Sequence, residues 1–167
     1  MKLFVSKHAQ NNNEVQQEID HVDLKIHYYK SFDEVNRTTD DNNFVAIIDN
    51  IKSSSDLFNA CYEQLKFPEY FGFNWDALID CLSDFSWLTQ KNVVLIHMNL
   101  EQMPLDLLYD YIDVLFICYA RLVNYLKKYP EKYPEESEIH AYFDIKHKEH
   151  IDTFFNEISE RRKYMFK

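Results

Sequence analysis

The chain reads FPEYFGFNWDALIDCLSDFSWL over residues 67–88, and the rest is organised around this stretch. It holds the single glycine, Gly72, both tryptophans, Trp75 and Trp87, and the acids Glu69, Asp76, Asp80 and Asp84, with no lysine or arginine among them. Gly72 follows Pro68 and two aromatic residues, which predicts a sharp turn with the glycine free to take positive φ. Asn74 is placed to cap a helix beginning near Trp75. Trp75, Leu78, Ile79 and Leu82 recur at helical spacing and predict a core stripe. Asp76, Asp80 and Asp84 stand at i, i+4 and i+8 and share a neighbouring face, where like charges repel by about a few tenths of a kcal/mol. The helix dipole favours Asp76 at the N-terminal end but not Asp84 at the other. Spacing alone leaves two readings open: a solvated acidic face, or a row of charge set out for a cationic partner.

Outward from this stretch, residues 44–49 (FVAIID) form a continuous apolar run with β-branched residues, a strand buried on both faces. Ser53, Ser54 and Ser55 offer caps for a helix over 56–65 whose inner face is Leu57, Ala60, Cys61 and Leu65. Residues 92–98 predict a second buried strand. Pro104 opens a long helix to about residue 129, with Leu105, Leu108, Tyr109, Ile112, Leu115, Phe116, Tyr119, Leu122, Val123 and Leu126 inward, ended by Pro130 and Pro134. Residues 138–145 predict a third strand, and 148–163 a last helix packed through Ile151, Phe154, Phe155 and Ile158. Strands separated by helices predict crossover connections and a parallel sheet. Before residue 43 the pattern is weaker. Residues 3–6 could be a short strand, 10–18 a polar loop or weak helix, and 22–28 alternate as a half-exposed strand, an accessory hairpin or an edge addition to the sheet.

The order P-E-Y-F-G-x-N-x-D-A-L-x-D-C-L, with Leu57-Phe58-Asn59-Ala60 and Leu65-Lys66-Phe67 before it, resembles the signature of the barstar family, small intracellular inhibitors of ribonucleases. With the flanking strands the resemblance covers roughly residues 43–144. It implies an α/β fold, a small three-stranded parallel sheet packed with helices, in the order β-α-α-β-α-β. The whole chain is then one domain: an N-terminal extension (1–42) with an extra strand or hairpin, a barstar-like core (43–145), and a C-terminal helical extension (146–167). The resemblance also implies the partner-binding residues. Asp80 is the anion that enters the enzyme's phosphate site, Asp76 its neighbour one turn earlier, and Tyr70 packs against a catalytic histidine or the base-binding region. Asn74, Ile79, Asp84 and Phe85 complete the contact face. Two positions depart from the best-known member, where Ile79 and Phe85 replace tryptophans, so the cognate enzyme is expected to differ. The family's glutamate late in the helix before the last strand has only loose counterparts in Glu131, Glu135 and Glu136.

Bulk properties agree with such a role. At 167 residues, 46% apolar and 16% aromatic, the chain suits one folded domain. A net charge of −10 argues against nucleic acid or an anionic membrane as direct partner and favours a basic protein. Residues 67–120 carry eight acids, with Lys91 the one Lys or Arg, while basic residues gather at the ends, notably Arg161, Arg162 and Lys163. The three cysteines, Cys61, Cys81 and Cys118, match no zinc spacing and read as reduced buried thiols of a cytoplasmic protein. No signal peptide or membrane span is legible. His140, His147 and His150 lie near Asp144 and Glu149, but a strand histidine does not converge with two on a helix, so no metal is expected. His97, inside a buried strand, reads as a hydrogen-bonded core or edge residue and not as a catalyst. Asp76 and Asp80 could hold Mg²⁺ in a nuclease. No lysine stands beside them and no phosphate-cradling loop or nucleophile motif accompanies them, so no catalytic residue and no cofactor are expected. The expected function is a ribonuclease inhibitor, the immunity protein of a ribonuclease toxin, monomeric and bound 1:1; the alternative is an acidic adaptor that binds a basic partner without blocking catalysis.

Overall fold

A computed structural model describes residues 24–36, 40–90, 92–129 and 138–166. The elements run β1 (Leu24–Tyr29), α1 (Phe32–Asn36), β2 (Asn43–Ile48), α2 (Ser54–Gln64), α3 (Trp75–Leu82), β3 (Asn92–His97), α4 (Leu105–Lys128), β4 (Ile139–Asp144) and α5 (Lys148–Arg162). All four strands are parallel, in the order β1-β4-β3-β2. Among the described residues the sheet thus has four strands, the three expected for the core and the extra N-terminal one. The strand read over 22–28 is present as β1, and it joins the edge in parallel beside β4. The expectations for 3–6, 10–18, Leu126 as an inward side chain, and Glu131, Glu135 and Glu136 lie outside the described residues or side chains.

Handedness explains where the helices lie. Right-handed crossovers from β2 to β3 to β4 move one way across the sheet and put α2, α3 and α4 on one face. The return from β1 to β2 runs the other way and needs its helix on the opposite face. Side-chain parity agrees. Ala46, Ile48, Val93, Leu95, Ala141 and Phe143 join the large core with the four longer helices. Val94, Ile96 and Tyr29 point the other way and meet Val35 of α1. The five-residue α1 escaped the sequence reading because it is too short for periodicity to register. Its signal was Ser31-Phe32-Asp33-Glu34, the spacing of a capping box. Glu34 reaches back to accept from the Lys30 N–H at 2.9 Å.

The long helix α4 is buried on more than one side. Leu108, Ile112, Leu115, Phe116, Tyr119, Leu122 and Val123 face inward as expected, and so do Leu107, Tyr111, Val114 and Cys118. Leu105 does not: it is 54% exposed in the first turn, because Pro104 is the cap and the chain has not yet reached the sheet. The second covering layer is α5, through Ile151, Phe155 and Ile158. It is clamped by charge as well. Arg162 pairs with both oxygens of Asp113 on α4, and Arg161 Nη2 adds a 3.0 Å contact. Part of the basic C-terminal end thus neutralises the acidic block instead of standing apart from it. All three cysteines are free and buried. Burial pushes the Cys118 thiol up to about 12, so it stays protonated and inert.

Candidate functional site

The stretch that opened the reading folds as a loop and a short helix on the rim of the core. Ser53 caps α2, its Oγ accepting from Asp56 N at 3.2 Å, and Leu65 closes it. The chain then turns through Lys66, at φ 55°, into the Phe67-Pro68 segment. Phe67, Phe71 and Phe73 form a ring ladder at 4.9 Å steps, with Tyr62 against Phe71 and Phe73. Trp87 closes the far side, edge-on to Phe67 at 5.7 Å, and its indole N–H donates to Leu65 O at 3.1 Å. These rings bury the base of the loop and hold it still.

Gly72 does not take positive φ; Phe73 does, at 49°. The glycine is needed for a different reason. A Cβ there would come within 3.0 Å of Asn74 Nδ2. That amide donates to Gly72 O at 3.1 Å while its Oδ1 accepts from Ala77 N at 2.9 Å. One asparagine therefore ties the loop to the first turn of α3, and a side chain at position 72 would crowd its amide by a few tenths of an ångström. Asn74→Ala is expected to cost about 1 kcal/mol, the worth of an N-cap, lowering the thermal midpoint by about 2–4 °C in a scanning melt.

With its inner face packed through Leu78, Cys81 and Leu82, α3 presents its charged face outward. Asp80 is 73% exposed at the side chain and Asp76 is exposed one turn earlier. Asp84 lies past the C-cap Ser83 and accepts from Ser86 N at 3.0 Å. Tyr70, before the helix, is 77% exposed. Ile79 and Phe85 are half-buried against the core, Phe85 tilted on Trp87 at 5.9 Å. Trp75 is also half-buried, edge-on to Phe58 at 5.2 Å, so it rims the core and does not lie within it. Of the seven residues singled out, Tyr70, Asp76 and Asp80 are the ones whose side chains project most into solvent. Asn74 is exposed but committed to its cap, and Ile79, Asp84 and Phe85 offer edges.

Two residues of this surface were missed. Phe73 is 44% exposed, its ring resting on Phe71 and Tyr62 beside Tyr70. Arg121 of α4 reaches across to α3, where its Nη1 donates to Asp80 Oδ1 at 2.8 Å. It stands one position beyond the lysine-poor 67–120 segment, and no local pattern ties it to Asp80. Among the described residues no Lys or Arg pairs with Glu69, Asp76 or Asp84. The histidines stay apart. His140 bonds His27 at 3.0 Å and Glu138 at 2.8 Å, His147 lies 3.7 Å from Glu101, and His150 stacks on Phe154. Among the described residues no group of three His, Cys, Asp or Glu is placed to hold a metal. No described helix is long and apolar enough to cross a membrane.

Residues 42–133 match the family model described as Barstar (barnase inhibitor). No curated protein matches the chain. The match runs from the start of β2 through α2, the capped acidic helix α3, β3 and α4, and it stops short of β4, which completes the sheet those strands begin. Spanning more than half of the 167 residues and centred on the loop and helix just described, it shows that this chain belongs to the barstar family.

Proposed function

We propose that this protein inhibits a basic ribonuclease, as the cytoplasmic immunity protein of a ribonuclease toxin, by lodging Asp80 where the enzyme holds the phosphate of RNA. The observation that carries this reading is a carboxylate 73% exposed on a capped helix, within the segment that matches barnase inhibitors. A ribonuclease must gather cations and acid–base groups around a scissile phosphate. A carboxylate on a rigid helix can take the phosphate's place at little ordering cost. Tyr70 supplies an aromatic surface for the base-binding region or a catalytic histidine. Asp76 meets a second cation about 6 Å along the helix, and Asn74, Ile79, Asp84 and Phe85 form the rim. The complex is 1:1 with a monomer, and the inhibitor does no chemistry of its own.

The test is capture from the source cells and their secretions on immobilised wild-type protein and on Asp80→Ala. The expected result is a ribonuclease held by the wild type and lost by the variant, inhibited when wild-type protein is added back, and released by a competing mononucleotide. A captured partner without ribonuclease activity, one that stays active in the complex, or an empty capture overturns the reading. Charge adds a kinetic expectation. With a net charge of −10, association should be steered, and raising salt from low ionic strength to about 0.5 M should slow it about 10-fold or more in stopped flow. A salt-independent on-rate would remove the acidic block from the recognition process.

A further inference from the structure

Arg121 has no evident structural purpose. Its pair with Asp80 is exposed on both sides, 43% at the arginine and 73% at the aspartate, so water screens it and it adds little to the fold. Yet residues 67–126 hold only two Lys or Arg, Lys91 and Arg121, against eight acids. One of those two touches the carboxylate that the reading above sends into the enzyme.

We propose that Asp80 and Arg121 form one dipolar recognition element, and that the partner presents a cation and a carboxylate side by side, the cation for Asp80 and the carboxylate for Arg121. The inference rests on the proposed ribonuclease inhibition and adds what the enzyme's surface must look like. A partner cation bonded to Asp80 lies within a few ångströms of the Arg121 guanidinium. With water excluded, two such like charges repel far more strongly than in bulk solvent. A partner offering only cations is therefore penalised, which is specificity by repulsion. A partner with a carboxylate beside the cation turns the same arginine into a second ion pair. Arg121 need not release Asp80 to make it. Nη1 faces Asp80, and the guanidinium has further N–H donors on its other edges. An acid–base site on RNA has reason to hold such a pair, since a proton acceptor must stand next to the groups that bind phosphate.

The probe is the ribonuclease recovered in the capture experiment, with binding kinetics measured for Arg121→Ala, Arg121→Lys and Arg121→Glu beside Asp80→Ala. Arg121→Ala is expected to weaken binding about 10-fold, the scale of one charged hydrogen bond in an interface. Arg121→Glu should weaken it about 100-fold or more, and Arg121→Lys should fall between wild type and alanine. All three should keep the wild-type melting midpoint, because the pair is exposed. A scan of enzyme carboxylates to amides should find one variant on which Arg121→Ala no longer matters, a coupling that a purely structural role would not produce. Wild-type or tighter binding by Arg121→Ala overturns the inference and makes Arg121 a competitor that the partner displaces. Unchanged binding by Asp80→Ala overturns the proposed site itself, whatever the arginine variants do.

Discussion

Asp80→Ala is expected to lower affinity for the proposed ribonuclease partner about 10²–10³-fold, or about 3–4 kcal/mol, with most of the change in the off-rate. The loss is large because of what the substitution leaves behind. In the complex, a cation of the enzyme would have given up water for the Asp80 carboxylate, and truncation strands that cation in a dry interface. Arg121 worsens the loss. Bonded to Asp80 at 2.8 Å in the free protein, it would face the stranded cation with nothing between them. The fold should not notice. Asp80 is mostly exposed, its ion pair is a surface pair, and α3 is held by its cap and by Leu78, Cys81 and Leu82. Titration calorimetry or stopped flow on the captured enzyme, beside a melting curve of the variant alone, separates the two effects. Equal affinity for wild type and variant would move the interface away from α3.

The second large effect lies at His97. It is fully buried at the end of β3 and stacked on Phe143 at 4.3 Å. Its Nδ1–H donates to Tyr142 O at 3.0 Å, which leaves Nε2 to accept from the Tyr111 O–H, also at 3.0 Å. One imidazole thus joins β3, β4 and α4, in the core role that the sequence suggested. His97→Ala removes a fully buried ring and its hydrogen bonds to the Tyr111 hydroxyl and the Tyr142 carbonyl. The expected cost is about 3–5 kcal/mol, read as the shift in a urea unfolding curve at pH 7. A loss below about 1 kcal/mol would mean that the network contributes little.

The same burial makes the fold acid-sensitive. Desolvation holds the His97 pKa down at about 4, against 6.5 in the unfolded chain. Between those values the unfolded state binds the extra proton, so stability is full above about pH 6.5 and falls as pH drops toward 4. Two and a half pKa units amount to about 3 kcal/mol. His97→Phe keeps a planar aromatic ring, somewhat larger than imidazole, and removes the titration. It should start less stable at pH 7, because Tyr111 and Tyr142 lose a partner, but lose less than wild type between pH 7 and pH 4. Equal losses in the two proteins would exclude His97 as the acid-sensitive group. His27 shares the direction, its pKa lowered to about 4 by burial first and by neighbouring His140 second.

Much of the fold and part of the site were legible because they are written in short-range patterns. Buried strands show as apolar β-branched runs, amphipathic helices as stripes, and the cap of α3 as an asparagine before a tryptophan. The acidic row at i, i+4 and i+8 needs no tertiary information to share a face. By itself the sequence determined the α/β class, the parallel sheet, the capped acidic helix and the family. Tertiary structure alone decided that β1 joins beside β4, that Gly72 makes room for an amide and leaves positive φ to Phe73, and that the acidic block is partly answered. Asp113 meets Arg161 and Arg162 from 48 or more positions away, and Asp80 meets Arg121 from 41 away. The physical reason is the same in each case. Helical periodicity fixes which side chains share a face of one element, but the pairing of faces between elements is set by how α3, α4 and α5 pack together. A charge map drawn along the chain therefore shows a run of acids where the folded surface shows a carboxylate and a guanidinium side by side.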